Sequence, residues 1–382
     1  MQRIYLDNNA TTAIDPVVAR QLASCYQSWY MNPASQHSDG RRAKQVMEDA
    51  RDDVCRSLGA SLEHGEADTL VFTSGATEAN NAAILGLAGS SGHVMLSRIE
   101  HPSVVEPARI LQSRGLEIDW IPVTPGGAID PSFVADRIRA DTRLVAVMLG
   151  NHETGVIQPV RQVADICQDR GVPVHCDAAQ AVGKIAVHFR GLGVTSLSVA
   201  AHKFHGPPGI GALLVRHGTT LAPLFTGGPQ QRGIRPGTEP VCLALAMATA
   251  LSRQCQQEGE NTLRQVRDLF ERLIVEQVSS AIIVGAGMTR LPQTSCIAFP
   301  PLDRQATAMA LDLAGIACST GSACASGSSD PSPVLLEMGL EDRLVQSAVR
   351  FSFSTSDGTP HATQAAQRIS SVINSLRHDK QA

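Results

Sequence analysis

Short apolar runs, separated by intervals long enough for a helix, recur between residues 70 and 215 of the chain. Seven runs are candidate strands, at residues 70–73, 93–97, 118–123, 144–149, 172–177, 196–201 and 212–215. Runs that are apolar on both faces are typical of strands covered by helices on both sides of a mainly parallel sheet. The pattern therefore predicts an α/β fold built on a mainly parallel seven-stranded sheet.

The character of the sequence changes near residue 258. A charged helical segment at 261–277 is followed by shorter candidate strands at 281–284 and 294–299. Upstream, the spacing of apolar residues over 40–58 predicts a helix that buries one face. We expect a large domain over residues 13–257 and a small α+β domain formed by residues 1–12 and 258–382.

Composition excludes several classes of protein. With 382 residues, 43% of them hydrophobic and 18% charged, the chain is globular, and a net charge of −4 without a Lys/Arg run argues against nucleic-acid binding. The sequence has neither the apolar core of a signal peptide nor a membrane-length apolar stretch, so we expect a cytoplasmic protein.

The nine cysteines are scattered and odd in number, and they include no Cys-x-x-Cys pair. This arrangement argues against a disulfide framework and against a structural zinc site. We therefore expect mostly buried, reduced thiols. The open question is whether one of these thiols takes part in chemistry.

Polar residues stand at the carboxyl ends of four predicted strands, where open α/β sheets bind ligands. A small turn at 73–78 leads into a helix and could bind an anion, while Asp177, Lys203 and His101 end three other strands. Taken singly, each feature also fits a helix cap or a structural residue. Together they are what pyridoxal phosphate (PLP) needs, because the lysine forms a Schiff base, the acid keeps the ring nitrogen protonated and the turn binds phosphate.

Nine short segments carry a family resemblance over nearly the whole chain, at residues 5–12, 32–37, 73–78, 100–101, 175–180, 202–207, 232–239, 321–324 and 349–352. On these segments the sequence resembles cysteine desulfurases of the NifS/IscS type, class V aminotransferases with PLP fold type I. The resemblance implies PLP as cofactor, L-cysteine as substrate and a homodimer. It also implies that sulfur passes to an acceptor or iron–sulfur scaffold protein, with no direct role for nucleic acid or a membrane.

The resemblance assigns a role to each matching residue. Lys203 would carry PLP and His101 would stack on its ring and assist proton transfer. The other cofactor contacts would come from Ala76, Thr77, His152, Asp177, Gln180 and His202, with Thr238 reaching the phosphate of the other subunit. Arg350 would bind the substrate carboxylate as a bidentate partner, and Asn32 would also contact substrate.

Cys324 is the residue that distinguishes this activity from other PLP chemistry. It stands in a segment of small residues at 319–330, where a lone cysteine would otherwise be a chance surface residue. The resemblance implies that its thiolate attacks the substrate sulfur and becomes a persulfide. We expect no resident metal, with Cys324 at most a transient iron–sulfur ligand.

Three positions depart from the family pattern. His152 stands where the family has an asparagine that bonds the cofactor ring, and Ala200 stands where it often has a phosphate-binding serine. We expect weaker PLP retention from Ala200. The short C-terminal end at 377–382 leaves the sulfur acceptor undefined.

Two other functions stay open at this stage. One is a different PLP reaction on the same fold, such as selenocysteine lysis or transamination. The other is a non-catalytic scaffold that keeps the fold without turnover, which the substitutions at His152 and Ala200 favour.

Overall fold

The computed structural model describes residues 3–28, 31–256, 259–321 and 330–379. The strands in this part of the chain are β1 (Ile4–Tyr5), β2 (Thr69–Thr73), β3 (His93–Ser97), β4 (Glu117–Ile121), β5 (Thr142–Ala146), β6 (Val174–Asp177), β7 (Ser196–Ala200), β8 (Gly211–Val215), β9 (Ile282–Ile283), β10 (Thr294–Ala298), β11 (Ile316–Ala317) and β12 (Ala348–Ser352). The helices are α1 (Pro16–Ser28), α2 (Ser38–Ser57), α3 (Ala76–Leu87), α4 (Pro102–Ser113), α5 (Pro131–Arg137), α6 (Val160–Gln168), α7 (Phe189–Leu192), α8 (Val241–Cys255), α9 (Gly259–Gln277), α10 (Arg304–Leu313), α11 (Pro333–Glu337), α12 (Asp342–Val345) and α13 (Thr359–Asp379).

The seven strands predicted from the apolar runs form one sheet in the order β2-β8-β7-β6-β5-β3-β4. Its strands are parallel except for β8, which pairs antiparallel with both β2 and β7. Strands β3, β7 and β8 are buried along their whole length, as runs that are apolar on both faces require. Strand β4 lies at the sheet edge and is only partly buried, although its run is also apolar.

A second group of elements surrounds a separate hydrophobic core. The antiparallel sheet β12-β10-β9 and the parallel pair β1-β11 pack with α9 and α13. Phe270 makes edge-to-face contacts with Phe351 and Phe353, and Ile4 and Leu6 of the N-terminal segment belong to the same core. The strands and the helix predicted between residues 261 and 299 are found here as β9, β10 and α9. The division at residues 257 and 258 stays a prediction.

The parallel strands bring polar residues to one edge of the large sheet. Strands β2, β3, β5, β6 and β7 run in one direction, so the residues that follow them meet at their carboxyl ends. Helices α3 and α4 begin at this edge, and their first turns point backbone N–H groups toward it. The topology therefore assembles a polar site. No described helix combines the length and apolar character needed to cross a bilayer.

Two cysteines depart from the expectation of mostly buried, reduced thiols. Cys25 of α1 and Cys242 of α8 form a disulfide between residues 217 positions apart, with a Cα–Cα distance of 5.7 Å. Helix α1 packs on α8, and sequence spacing does not reveal such a distant contact. Burial raises the pKa of the Cys55, Cys167 and Cys296 thiols to about 12, so these thiols stay protonated.

We expect Cys242→Ser to lower the free energy of unfolding by about 2–4 kcal/mol without reductant, because the bridge restricts the unfolded chain. Urea unfolding followed by circular dichroism measures the change. Cys255→Ser, which removes an exposed free thiol, is the control and leaves the transition in place. Equal stability of wild type and Cys242→Ser under non-reducing conditions would show that the bridge does not stabilise the fold.

Candidate active site

A cavity of about 370 Å³ lies at the carboxyl edge of the large sheet. Most of the site residues predicted from the sequence lie in the lining of this single cavity. They are Ala76, Thr77, His101, His152, Asp177, Gln180, His202, Lys203 and Arg350. Ala200, one of the departures from the family pattern, also lines it. Residues separated by up to 274 positions therefore meet in one concave site of the size that cofactors and small substrates occupy.

Lys203 sits in a single helical turn that follows β7. Its Nζ donates hydrogen bonds to the backbone carbonyls of Asn9 and Ala10, the latter at 2.9 Å. The adjacent carbonyl of His202 accepts hydrogen bonds from the backbone N–H and the hydroxyl of Thr12. These hydrogen bonds attach the N-terminal segment to the turn that carries Lys203. The segment also holds the Lys203 amine inside the cavity.

His202 is a neutral side chain in this environment. Burial, reinforced by the nearby Lys203 charge, lowers the pKa of its imidazole to about 4. Its Nδ1 lies 3.2 Å from the Thr11 hydroxyl oxygen. The ring is therefore held in place by the N-terminal segment and acts as a neutral hydrogen-bonding group.

Asp177 is the last residue of β6, and neighbouring groups hold its carboxylate by hydrogen bonds. Its Oδ1 accepts from the backbone N–H of Ala179 at 2.9 Å, and its Oδ2 accepts from Asn80 Nδ2 at 2.8 Å. Asn80 is completely buried and also contacts Ser103, with His175 Nε2 3.0 Å from its Oδ1. Because every partner is itself fixed, the carboxylate has a set orientation toward the cavity.

His101 caps the N-terminus of α4. Its Nδ1 accepts from the backbone N–H of Ser103 at 3.1 Å, which assigns the proton of a neutral ring to Nε2. Burial lowers the pKa of His101, and the Asp177 carboxylate opposes that shift. The ring meets that of His152 edge to face, with 5.6 Å between centroids.

Arg350 of β12 is 2% exposed and held by two acceptors. One terminal nitrogen donates to the carbonyl of His152 at 2.9 Å, and the other donates to Asp7 Oδ1 at 2.8 Å. Its buried Nε has no hydrogen-bond partner among the described residues, and neither does His152 Nδ1. Burial also lowers the pKa of His152 far below its ordinary value, so this imidazole is neutral.

These residues fit pyridoxal phosphate. A Cβ placed on Gly75 would meet nothing within 4 Å, so open space lies before the N–H groups of Ala76 and Thr77, which suits a phosphate. Glu78 does not oppose an anion there, because Arg235 and the Ser74 N–H bind its carboxylate at 2.9 and 2.7 Å. The fixed carboxylate of Asp177 suits a protonated ring nitrogen, and the buried donor on Arg350 suits an added carboxylate.

Two residues predicted for the site, Asn32 and Thr238, do not line this cavity. Asn32 accepts from the backbone N–H of Ala34 at 2.9 Å and lines a different cavity of about 330 Å³ beside Glu239 and Cys242, so the structure does not bring it to the site of its own chain. Thr238 is exposed and lies away from the cavity. Cys324 lies outside the described residues.

Two residues that hold the site residues in place, Asn9 and Asn80, were not predicted from the sequence. Asn9 donates to the His152 carbonyl and to Thr294 Oγ1, and Asn80 holds Asp177. Asn9 belongs to a segment that matched the family motif without a role attached. Asn80 stands four residues after Ala76 on α3, so helical periodicity could have placed it on the cavity side.

Comparison with known proteins agrees with this fold. The model of the family "Aminotransferase class-V" matches residues 4–358. Curated relatives include a cysteine desulfurase IscS of Dictyoglomus turgidum, 34% identical with 100% of this chain and 98% of the relative covered, and a cysteine desulfurase NifS of Azotobacter vinelandii, 35% identical with 99% and 94% covered. A solved NifS-like protein superposes with a TM-score of 0.90 at 30% identity, covering 98% of this chain and 100% of its own.

Fold and site together define a PLP-dependent enzyme of fold type I. The chain belongs to the class V aminotransferase family. The predicted family, fold class and cofactor are confirmed. The roles of individual site residues stay predictions.

We expect Asn80→Ala to lower the free energy of unfolding by about 1–3 kcal/mol, because it leaves buried partners such as Asp177 and His175 unsatisfied. PLP affinity falls as well, since the carboxylate loses its fixed orientation. Thermal denaturation and PLP titration of the cofactor-free protein measure both effects. Asn81→Ala, at a partly exposed neighbour on the same helix, is the matched control and changes both quantities less. Identical behaviour of the two variants would contradict the role of Asn80.

We expect Ala200→Ser to bind PLP about 3–10-fold more tightly, because the new hydroxyl adds one hydrogen-bond donor at the cavity wall. Fluorescence titration of the cofactor-free protein measures the dissociation constant. Ala201→Ser adds the same group one residue further along, outside the cavity lining, and gives no tightening. Unchanged affinity in Ala200→Ser would remove this explanation of PLP retention.

Proposed function

We propose that this protein is a cysteine desulfurase that converts L-cysteine to L-alanine and leaves the sulfur as a persulfide on Cys324. The observation that carries the proposal is the convergence of Lys203, Asp177 and Arg350 on one cavity. A reactive amine, a fixed acid and a buried guanidinium are the groups that an amino-acid-transforming PLP enzyme requires. The names of the full-length relatives support the choice of reaction.

Different residues of the cavity would hold different parts of the cofactor. Lys203 would bind PLP covalently through Nζ, and Asp177 would keep its ring nitrogen protonated. The backbone N–H groups in the first turn of α3 would bind its phosphate. Gln180, whose Nε2 donates to the Asn9 carbonyl at 3.0 Å, presents its amide to the phenolic oxygen. When bound, PLP supplies a carbonyl that condenses with amines and a ring that withdraws electrons from the substrate α-carbon.

Arg350 binds the α-carboxylate of L-cysteine. A guanidinium has five N–H donors, and two acceptors, Asp7 and the His152 carbonyl, engage one donor each among the described residues. These two hydrogen bonds fix the plane of the guanidinium group, while the Nε–H of Arg350 remains available for a substrate oxygen. The arrangement selects an amino acid with a free carboxylate.

Proton movement is assigned to two residues of the cavity. Lys203 Nζ, which lies in the same cavity as Arg350, would accept the proton from the substrate α-carbon. His101 keeps a hydrogen on Nε2 because Nδ1 accepts from the Ser103 N–H, and it donates that hydrogen as a hydrogen bond to reacting groups in the cavity. Burial lowers its pKa, so the ring assists proton transfer in its neutral form.

Sulfur transfer takes place at Cys324. Its thiolate attacks the sulfur of L-cysteine, so an S–S bond forms and the substrate C–S bond breaks. The carbon keeps the electron pair and gains a proton, which yields alanine and a Cys324 persulfide without any external oxidant. An acceptor protein then takes the outer sulfur and returns the Cys324 thiol.

The proposed function includes an oligomeric state, a cellular compartment and a sulfur acceptor. The protein acts as a homodimer in the cytoplasm, and the exposed position of Thr238 suits a contact with the phosphate site of a partner subunit. The acceptor is a protein that offers a thiolate, such as an iron–sulfur scaffold. Asn32, which lies away from the cavity of its own chain, contributes to substrate binding across the same interface.

We expect Cys324→Ser to lower sulfide release from L-cysteine in the presence of a thiol reductant by at least about 1000-fold, because the sulfur loses its nucleophile. The visible absorbance of bound PLP persists in this variant. Alanine and sulfide assays measure turnover, and Cys255→Ser, an exposed thiol elsewhere, is the control with normal rates.

Two outcomes of this experiment would contradict the proposal. Equal sulfide release by Cys324→Ser and wild type would remove the persulfide step and favour another PLP reaction. Absence of alanine formation by wild type, with a PLP absorbance band that Lys203→Ala abolishes, would favour a cofactor-binding scaffold.

A further inference from the structure

Lys203 stands inside a tight turn over residues 201–206, hereafter the lysine turn. The N–H of Gly206 donates to the carbonyl of Ala201 at 2.9 Å and closes this turn. His205 has a φ of +64°, in the left-handed region that glycine usually occupies at this position of such a turn. This backbone conformation is unfavourable for a residue with a side chain, so neighbouring contacts must hold it in place.

The N-terminal segment, residues 9–15, replaces a hydrogen bond that such a turn normally makes within itself. The N–H of the left-handed residue ordinarily donates to the carbonyl three residues earlier. Here the Thr12 hydroxyl stands between the two groups, because it accepts from the His205 N–H at 2.8 Å and donates to the His202 carbonyl at 2.9 Å. A hydroxyl 190 positions away from His202 in the chain therefore completes the lysine turn.

The His205 imidazole makes a further contact with the same segment. The residue is buried, and burial, reinforced by the Lys184 charge, lowers the pKa of the ring, so the ring is neutral. Nδ1 lies 2.8 Å from the carbonyl oxygen of Ala13, which can only accept, so Nδ1 carries the hydrogen. The His205 carbonyl accepts from the Asp15 N–H at 2.9 Å. His205 therefore binds the N-terminal segment through its N–H, its ring and its carbonyl.

The other ring nitrogen of His205 faces the chain that follows β12. The Thr355 hydroxyl oxygen lies 3.2 Å from His205 Nε2 and 3.3 Å from Gln254 Oε1, so two acceptors share its one hydrogen. Gln254 belongs to α8, and Thr355 stands three residues after the end of β12. The imidazole therefore lies where the N-terminal segment, α8 and the chain after β12 meet.

The segment that His205 holds also contacts the lysine amine. The backbone carbonyls of Asn9 and Ala10 accept hydrogen bonds from Lys203 Nζ. Ala10 stands two residues before Thr12, whose hydroxyl bonds His205. The contacts of His205 therefore set the position of the N-terminal segment relative to the lysine amine.

We propose that His205 is a positioning residue for Lys203, which holds the lysine turn against the N-terminal segment and so sets where Nζ stands in the cavity. The inference rests on the proposed role of Lys203 as the lysine that binds PLP. A covalent bond to the cofactor forms only when the amine is closely aligned, and a displacement of about 1 Å can cost about 100-fold in rate. His205 supplies this alignment through the backbone on either side of the lysine.

Three variants of the full-length protein separate the backbone of His205 from its ring. His205→Gly accepts the left-handed backbone but lacks the ring, whereas His205→Ala lacks the ring and disfavours that backbone. His205→Asn tolerates the backbone and places an amide N–H near the position of Nδ1. After PLP is added to cofactor-free protein, borohydride trapping and mass spectrometry of the Lys203 peptide measure the rate of covalent attachment. We expect attachment to be about 10–100-fold slower in the Gly and Ala variants and within about threefold of wild type in the Asn variant.

Turnover of L-cysteine by the holoenzyme gives a second readout. In His205→Ala, kcat falls about 10–100-fold while KM changes by less than about twofold, because Arg350 keeps both of its acceptors. His217→Ala, at an exposed histidine two residues after β8, is the control with normal attachment and turnover. Lower thermal stability of His205→Ala with wild-type attachment and kcat would overturn the inference, because it would show a structural role alone.

Hydrogen exchange separates this inference from the proposed function. In the full-length protein without PLP, His205→Gly and Thr12→Val speed amide exchange at residues 12–15 and 204–206 by at least about tenfold. Wild-type exchange in both variants would overturn the inference even if the enzyme releases sulfide. If wild type attaches no PLP at Lys203, the positioning role falls together with the proposed function. Normal attachment without sulfide release, with the expected variant effects, would refute the desulfurase function and keep the positioning role.

Discussion

The common direction of five strands in the large sheet is the constraint on which the site depends. It delivers the residues after β2, β3, β5, β6 and β7 to one edge, so a helix N-terminus, an acid and a lysine meet there. Gathering polar groups at a buried edge is costly unless each has a partner. The contacts of Asn80 with Asp177, His175 and Ser103 meet that need beneath the cavity.

The N-terminal segment joins the two cores at this site. Asn8 donates to the carbonyl of Ser352 and Asn9 donates to Thr294, so the segment is bound to β12 and β10 of the smaller sheet. The carbonyls of Asn9 and Ala10 also accept from Lys203 on the larger sheet. A few residues near the start of the chain therefore set the distance between the lysine and the arginine that faces it.

Much of this arrangement could be predicted, and the reason lies in local patterns. Apolar runs specify strands, and polar residues at their ends, such as Asp177 and Lys203, become neighbours through parallel topology alone. The bond between Cys25 and Cys242 depends on how helices pack against one another, which the pattern along the chain does not encode. Helical periodicity places Asn80 on the cavity side of α3, but its hydrogen bond to Asp177 depends on how that helix packs against the sheet. The partial exposure of β4 was also missed, because its run of residues does not reveal that the strand lies at the sheet edge.

The raised thiol pKa values have a consequence for chemical selectivity. Burial raises the pKa of Cys318 to about 12, as it does for Cys55, Cys167 and Cys296, so these thiols stay protonated at neutral pH. Thiolates, not thiols, exchange with sulfur–sulfur bonds. The fold thus insulates these four thiols from reactive sulfur, including Cys318, which stands only six positions from Cys324. Burial therefore protects these four thiols from exchange, so the persulfide chemistry proposed for Cys324 does not spread to them.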